Sequence, residues 1–132
     1  MQAATLVNRP ERAVSWTGRT LSALVVVFMI FDGVIHIARP APVVDAFTQL
    51  GVPLRLSLGI GIVELVCTAL YAIPRTSVLG ALLLTGYLGG AIATQLRSGA
   101  GWFPTIFPLI IAALLWGGLA LRDARVRALA SL

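Results

Sequence analysis

Two acids and one histidine stand inside stretches otherwise apolar enough for a lipid bilayer. The stretch FDGVIHIARP, residues 31–40, closes an apolar run and places Asp32 and His36 one helical turn apart. Glu64 interrupts a second run, LGIGIVELVCTAL. A carboxyl and an imidazole at this i,i+4 spacing share a proton or form an ion pair. An acid at the bilayer centre costs about 2.5–3.5 kcal/mol on insertion scales, so its presence calls for a function or a partner. Asp32, His36 and Glu64 are therefore the candidate catalytic groups, with proton transfer as their chemistry. One histidine with two carboxyls is a thin donor set, and no H-x-x-x-H or multi-histidine pattern accompanies it. The set could in principle hold a metal, but no haem, flavin or metal signature is present, which leaves the cofactor open with a quinone among the options. Neither a phosphate-binding glycine loop nor a G-x-S-x-G elbow occurs.

The elements that must position these groups are membrane helices. The chain of 132 residues is 58% hydrophobic and 11% charged, which excludes an ordinary soluble domain. Its length suits a single domain, 1–132. Four apolar blocks have the ~20 residues needed to cross a bilayer. They run about Arg19 to Ala38, Leu54 to Ile73, Thr76 to Leu96 and Phe103 to Leu121, with proline and glycine punctuating the gaps. Between the first two, PVVDAFTQLG gathers Val43, Val44, Phe47 and Leu50 on one face, which predicts a short interfacial helix stopped by Gly51. The fold class is thus all-α integral membrane: a four-transmembrane-helix bundle with a short interfacial helix between helices one and two.

All ten basic residues are arginine, and they mark topology rather than a nucleic-acid surface, since no dense stripe with interleaved aromatics occurs. Arg9, Arg12, Arg19, Arg75, Arg122, Arg125 and Arg127 fall on one side of the four spans; only Arg39, Arg55 and Arg97 fall on the other. The positive-inside rule then places both termini in the cytoplasm. Trp16 and Trp116 fall near the inner interface and Trp102 near the outer one. A cleavable signal peptide is the rival reading of the N-terminus, and Asp32 and His36 speak against it. Cys67 is the only cysteine, which leaves no dithiol within the chain.

At ~100° per residue, Ser22, Val25, Met29, Asp32 and His36 share one side of the first helix. Ser57, Gly61, Glu64, Thr68 and Tyr71 share a face of the second, and Thr76, Gly80, Leu83, Tyr87, Ala91 and Thr94 a face of the third. Facing stripes need a common interior. From the helical rise, Asp32 lies ~9 Å below the outer boundary, and Glu64 ~15 Å, level with Tyr87. The expected pocket opens outward, with Met29, Gly61, Tyr87, Thr94 and Gln95 as its ligand-binding residues. Gly86-x-x-x-Gly90 and Gly117-Gly118 are read as packing positions, and the Gly86–Gly90 face as the site of any homo-oligomer.

The segments GVIHIARPAPVVDAFTQLGVP, LGIGIVEL and YAIPRTSVLGALLLTGYLGGAIATQLRSG resemble the DoxX-like family of small bacterial membrane proteins, from about Phe31 to the end. The matching positions are Gly33, His36, Glu64, Pro74, Arg75, Thr76, Gly86, Tyr87 and Gly90. The resemblance implies four membrane helices in the bacterial inner membrane and an association with redox complexes. The wider family is named for a membrane subunit tied to thiosulfate oxidation and quinone reduction. It implies no assigned catalytic residue.

Three functions are consistent with these residues. The leading one is binding of a lipophilic, quinone-like molecule as an accessory to membrane redox metabolism, with electrons from a redox partner protein. The second is a cofactor-free acid/base enzyme (isomerase, cyclase or epoxide-opening) on an apolar substrate, with Glu64 as acid and Asp32–His36 as base. The third is a structural or assembly protein whose polar groups only specify packing. The expected partners are the lipid bilayer, the lipophile and the redox protein, not nucleic acid. For topology, single cysteines are placed in a Cys67→Ala background. Thr48→Cys is expected to react with an impermeant maleimide outside intact cells, and Ala128→Cys only after the membrane is opened.

Overall fold

The computed structural model describes residues 2–132, with side chains from residue 12 onward, so the side chain of Arg9 lies outside the described residues. The order is α1 (Gln2–Ala38), α2 (Ala41–Leu50), α3 (Ser57–Ala72) led in by a 3-10 turn at Leu54–Leu56, α4 (Ser77–Arg97), α5 (Trp102–Arg122) and α6 (Ala124–Ala130). Four of these helices are long and apolar enough to cross a membrane. They form a ring in which α1 packs on α3, α3 on α4, α4 on α5, and α5 closes back on α1. The chain is an all-α, four-helix membrane bundle.

Helix boundaries follow local chemistry. Gly51 (φ 68°) and Gly99 (φ 70°) are left-handed residues ending α2 and α4. In both, two amides turn back onto the last helical turn: Val52 N–H to the Phe47 carbonyl (3.0 Å) and Gly51 N–H to that of Thr48 (3.2 Å). The second pair is Ala100 N–H to Gln95 (3.1 Å) and Gly99 N–H to Leu96 (3.2 Å). This is the glycine-terminated cap that satisfies orphan carbonyls. Between α3 and α4 the turn is tight, and the Thr76 hydroxyl donates back to the Leu70 carbonyl at 2.7 Å. The first helix extends well before Arg19 and runs through Pro10. At the other terminus Asp123 caps α6, accepting from the Arg125 N–H at 2.9 Å. The Arg125 guanidinium beside it holds the Asp123 carboxyl below its usual range. Arg127 donates to the Ala120 and Leu121 carbonyls, both at 2.8 Å, at the end of α5.

The core is a column of Val25, Met29, Tyr71, Ala81, Leu84, Ile111, Leu115 and Leu119. Leu24, Val27, Ile30, Phe31, Val63, Val66, Leu82 and Leu109 point outward and are exposed, as lipid-facing residues must be. The faces of α1 and α3 turn inward as the polar stripes predict: Ser22, Val25 and Met29 are buried, and so are Ser57, Gly61, Glu64, Thr68 and Tyr71. The face of α4 differs. Its buried side is Ser77, Gly80, Ala81, Leu84 and Leu88, whereas Leu83 is 43% exposed. Apart from buried Ser77, the polar residues of α4 lie at the edge of its packed face or outside it, and small or branched apolar side chains occupy the centre.

Glycine sets the helix separations, but not all at the expected positions. A Cβ on Gly80 would lie 2.2 Å from the Tyr71 backbone nitrogen, and one on Gly118 would lie 2.7 Å from Ser22 Oγ. Gly18 likewise meets the end of α5, where a Cβ would approach Arg122 N to 2.6 Å. Gly86, Gly90 and Gly117 face open space and pack against nothing within the chain. Trp116 donates its indole N–H to Thr85 Oγ1 at 2.9 Å, tying α5 to α4.

Gly80→Ala is expected to destabilise the purified protein by ~1–3 kcal/mol, because its methyl meets backbone that cannot step aside. Gly86→Ala is expected to be neutral or to stabilise by up to about 1 kcal/mol through helix propensity. Thermal unfolding in one detergent compares the two.

Candidate functional site

Asp32 and His36 from α1, Glu64 from α3 and Tyr87 from α4 meet near the arginine-poor end of the bundle. One donor atom each from Asp32, His36 and Glu64 lies within 4.8 Å of the others. Helical side chains lean toward the N-terminus of their own helix. The N-terminal end of α3 is the arginine-poor end, so Glu64 leans toward it, while Asp32 and His36 on antiparallel α1 lean away from it. The opposed leans close the gap in depth between the acids that the helical rise alone predicts.

The approach of α1 to α3 is enforced by small residues. A Cβ on Gly61 would sit 2.6 Å from the Gly33 carbonyl oxygen, and one on Gly33 would sit 2.8 Å from the Leu65 side chain. Ser57 donates its hydroxyl to the His36 carbonyl, pinning the start of α3 to the end of α1. Phe47, buried on α2, meets the His36 ring edge-on with centroids 5.8 Å apart. The short helix thus covers the imidazole.

The hydrogen bonds fix the roles of several atoms. His36 Nδ1 lies 2.7 Å from the Asp32 backbone carbonyl, which can only accept, so Nδ1 carries a proton. The same nitrogen is 3.6 Å from Asp32 Oδ2 and 3.5 Å from Glu64 Oε2. Tyr87 donates its phenol to Glu64 Oε2 at 2.8 Å. Glu64 Oε1 is buried and has no hydrogen-bond partner among the described residues. Exposure falls stepwise inward, with side-chain values of 30% for Asp32, 17% for His36 and 0% for Glu64. Contact with the surroundings therefore runs through Asp32 first.

The expected ligand-binding residues divide. Tyr87 joins the cluster directly. Gly61 serves as the close-approach point of α1 and α3. Met29 is buried in the apolar core. Thr94 donates its hydroxyl to the Gly90 carbonyl of its own helix at 2.8 Å. Among the described residues, no hydrogen bond joins the side chain of Thr94 or Gln95 to the cluster. Gly33, Ser57 and Phe47 were not singled out by residue type. The regular spacing of Ser57, Gly61 and Glu64 on one face signals the first contact, but nothing in the sequence aims Phe47 at His36.

A second polar knot, also not anticipated, lies at the arginine-rich end. Tyr71 donates to the Leu115 carbonyl at 2.7 Å, so Ser22, 3.0 Å from the phenol oxygen, must be the donor to it. The Arg122 guanidinium stacks 4.9 Å from the centre of the Tyr71 ring and donates to the Tyr71 carbonyl at 2.9 Å. This knot joins α1, α3 and α5 and carries no acid.

A small polytopic membrane bundle with a buried carboxyl–imidazole–phenol cluster is the class these features define. The sequence pattern of the DoxX-like family matches residues 20–118, and the chain belongs to that family. No curated protein and no solved structure matches the chain.

Tyr87→Phe is expected to cost about 1–3 kcal/mol, the penalty for stripping a buried acceptor of its donor. Combining it with Glu64→Leu is expected to cost less than the sum of the two single changes, because both partners then leave together. A double-mutant cycle on thermal or chemical unfolding measures the coupling.

Proposed function

We propose that this protein binds a lipophilic, carbonyl-bearing molecule of the quinone type at the Asp32–His36–Glu64–Tyr87 cluster, as an accessory to membrane redox metabolism. The observation that carries the reading is Glu64 Oε1, a buried oxygen without a partner. Its twin, Oε2, accepts from Tyr87, which leaves Oε1 as the oxygen free to engage a ligand. A carboxyl that holds a proton on that oxygen donates to a carbonyl ligand, which brings no proton of its own. The aromatic row Phe28–Phe107–Phe103 on α1 and α5, with centroids 5.3 and 5.8 Å apart, offers ring faces to a flat molecule or its tail. Thr94 and Gln95 stand toward the arginine-poor end, at the rim of the proposed entrance.

The side chains present can supply hydrogen bonds and protons but no electrons, so oxidation or reduction of the bound molecule falls to a partner protein. The working placement is the bacterial inner membrane with both termini cytoplasmic, the cluster then facing the outer half of the bilayer.

The test is mass spectrometry of lipophiles retained by protein purified gently in the presence of a chelator. Glu64→Gln keeps an acceptor for Tyr87 and a donor for the ligand, so it is expected to retain the molecule. Glu64→Leu removes both and is expected to retain roughly tenfold less or lower, the equivalent of one lost hydrogen bond. Bulk lipid alone on the folded wild type overturns the reading. Turnover of an apolar substrate by the isolated chain without any electron donor would replace it with the acid/base enzyme.

A further inference from the structure

We propose that Asp32, His36 and Glu64 form a binding site for a divalent transition-metal cation of the Zn2+ type. The site offers one imidazole nitrogen and two carboxyl groups, gathered from two helices. Separations of 3.5 Å from Nδ1 to Glu64 Oε2 and 3.6 Å from Nδ1 to Asp32 Oδ2 are close to the edge of a tetrahedron of donors around Zn2+. That edge is ~3.3 Å for bonds of ~2.0 Å. A second observation points to an occupant: Glu64 is fully buried, and among the described residues its Oε1 has no hydrogen-bond partner. A buried acceptor with nothing to accept from is costly, and a cation beside it removes that cost.

Charge selects the class of ion. The Nδ1 proton is donated to the Asp32 backbone carbonyl at 2.7 Å, with both carboxyls just beyond. A divalent ion bound at Nδ1 replaces that proton and its hydrogen bond, the imidazole keeping a proton on Nε2. The displaced proton and any proton on the carboxyls leave to solvent past partly exposed Asp32. Two carboxylates, a neutral imidazole and a doubly charged cation sum to zero, which is the charge an apolar bundle tolerates best. The nitrogen donor favours Zn2+ and its neighbours over Mg2+ and Ca2+. Those two ions demand six or more oxygens, which three side chains under Phe47 do not provide. Tyr87, donating to Glu64 Oε2, holds the carboxyl in place as an outer hydrogen bond. The cation and a carbonyl ligand compete for Glu64, yet this proposal does not depend on the lipophile.

The experiment uses tag-free, full-length protein in lipid nanodiscs, stripped with chelator and free of added lipophile. ZnCl2 is titrated by calorimetry, and Co2+ is followed by its visible ligand-field bands. One ion per chain is expected, with Co2+ bands of low coordination number and no displacement by excess Mg2+. His36→Gln and Glu64→Gln are each expected to weaken binding by more than the roughly 10–100-fold that loss of a supporting hydrogen bond costs. Asp123→Asn, at the opposite end, is expected to leave it unchanged. Should Glu64→Gln lose its thermal transition, Asp32→Asn at the half-exposed position takes its place beside His36→Gln. No ion bound below millimolar concentration, or equal binding by wild type and folded variants, overturns the proposal. Glu64→Gln is expected to keep the lipophile and lose the cation, so each reading fails separately.

Discussion

A carboxyl group with no exposed surface, inside a bundle whose outer face is hydrocarbon, is the constraint around which this protein is arranged. Glu64 cannot be hydrated where it stands, so every helix near it answers to its polarity. Tyr87 gives it a proton donor from α4. The neighbouring His36 is oriented by its own helix backbone, and α2 lays Phe47 across the ring. Gly33 and Gly61 bring α1 and α3 close enough for these contacts. A side chain on either would press the two helices apart, against the Gly33 carbonyl from Gly61 and against Leu65 from Gly33. The bundle gains little from hydrophobic burial between helices, because lipid is as apolar as leucine. Close backbone approach and polar contacts carry a larger share of its specificity.

The two polar knots lie toward opposite ends of the bundle. At the arginine-rich end, Ser22, Tyr71 and Arg122 are fully engaged with backbone carbonyls and with one another, apart from Arg122 Nε. Between the knots lie Val25, Met29, Leu84 and Leu115, none more than 1% exposed. This apolar layer separates the acids from the arginine-rich end. The opposite knot is the one with an unspent oxygen and graded exposure. Its chemistry is therefore directed to one side of the bundle.

Much of this was legible in the residues. Hydrophobic runs and their breakers located the spans, and the i,i+3/i+4 spacing of Ser57, Gly61, Glu64, Thr68 and Tyr71 oriented α3 correctly, since polar residues avoid lipid more strictly than apolar ones seek the core. The same logic misplaced the face of α4, where Ala81, Leu84 and Leu88 do the packing and Tyr87 reaches in from the edge. Depth was estimated from helical rise alone, which ignores the opposed lean of side chains on antiparallel helices. The glycines divide: Gly61 and Gly80 on the inward stripes and Gly118 make close contacts, whereas Gly86, Gly90 and Gly117 pack against nothing within the chain, and the close contact of Gly18 was not anticipated. For Gly18 the approach depends on where α5 closes the ring, which its own stretch of sequence does not encode. Arg122 over Tyr71 joins residues from different helices and was equally out of reach.

Membership in the DoxX-like family is consistent with the bundle and leaves its chemistry to be read from the cluster. The central claim is that His36, the only histidine in the chain, presents Nδ1–H beside the Glu64 carboxyl. Solid-state NMR on protein labelled at histidine nitrogen and glutamate carbon, in bilayers, tests it directly. The account predicts a protonated, hydrogen-bonded Nδ1 with a through-space correlation to one glutamate Cδ, abolished by Glu64→Gln. A His36 signal typical of a solvated imidazole, with no glutamate correlation, would contradict it.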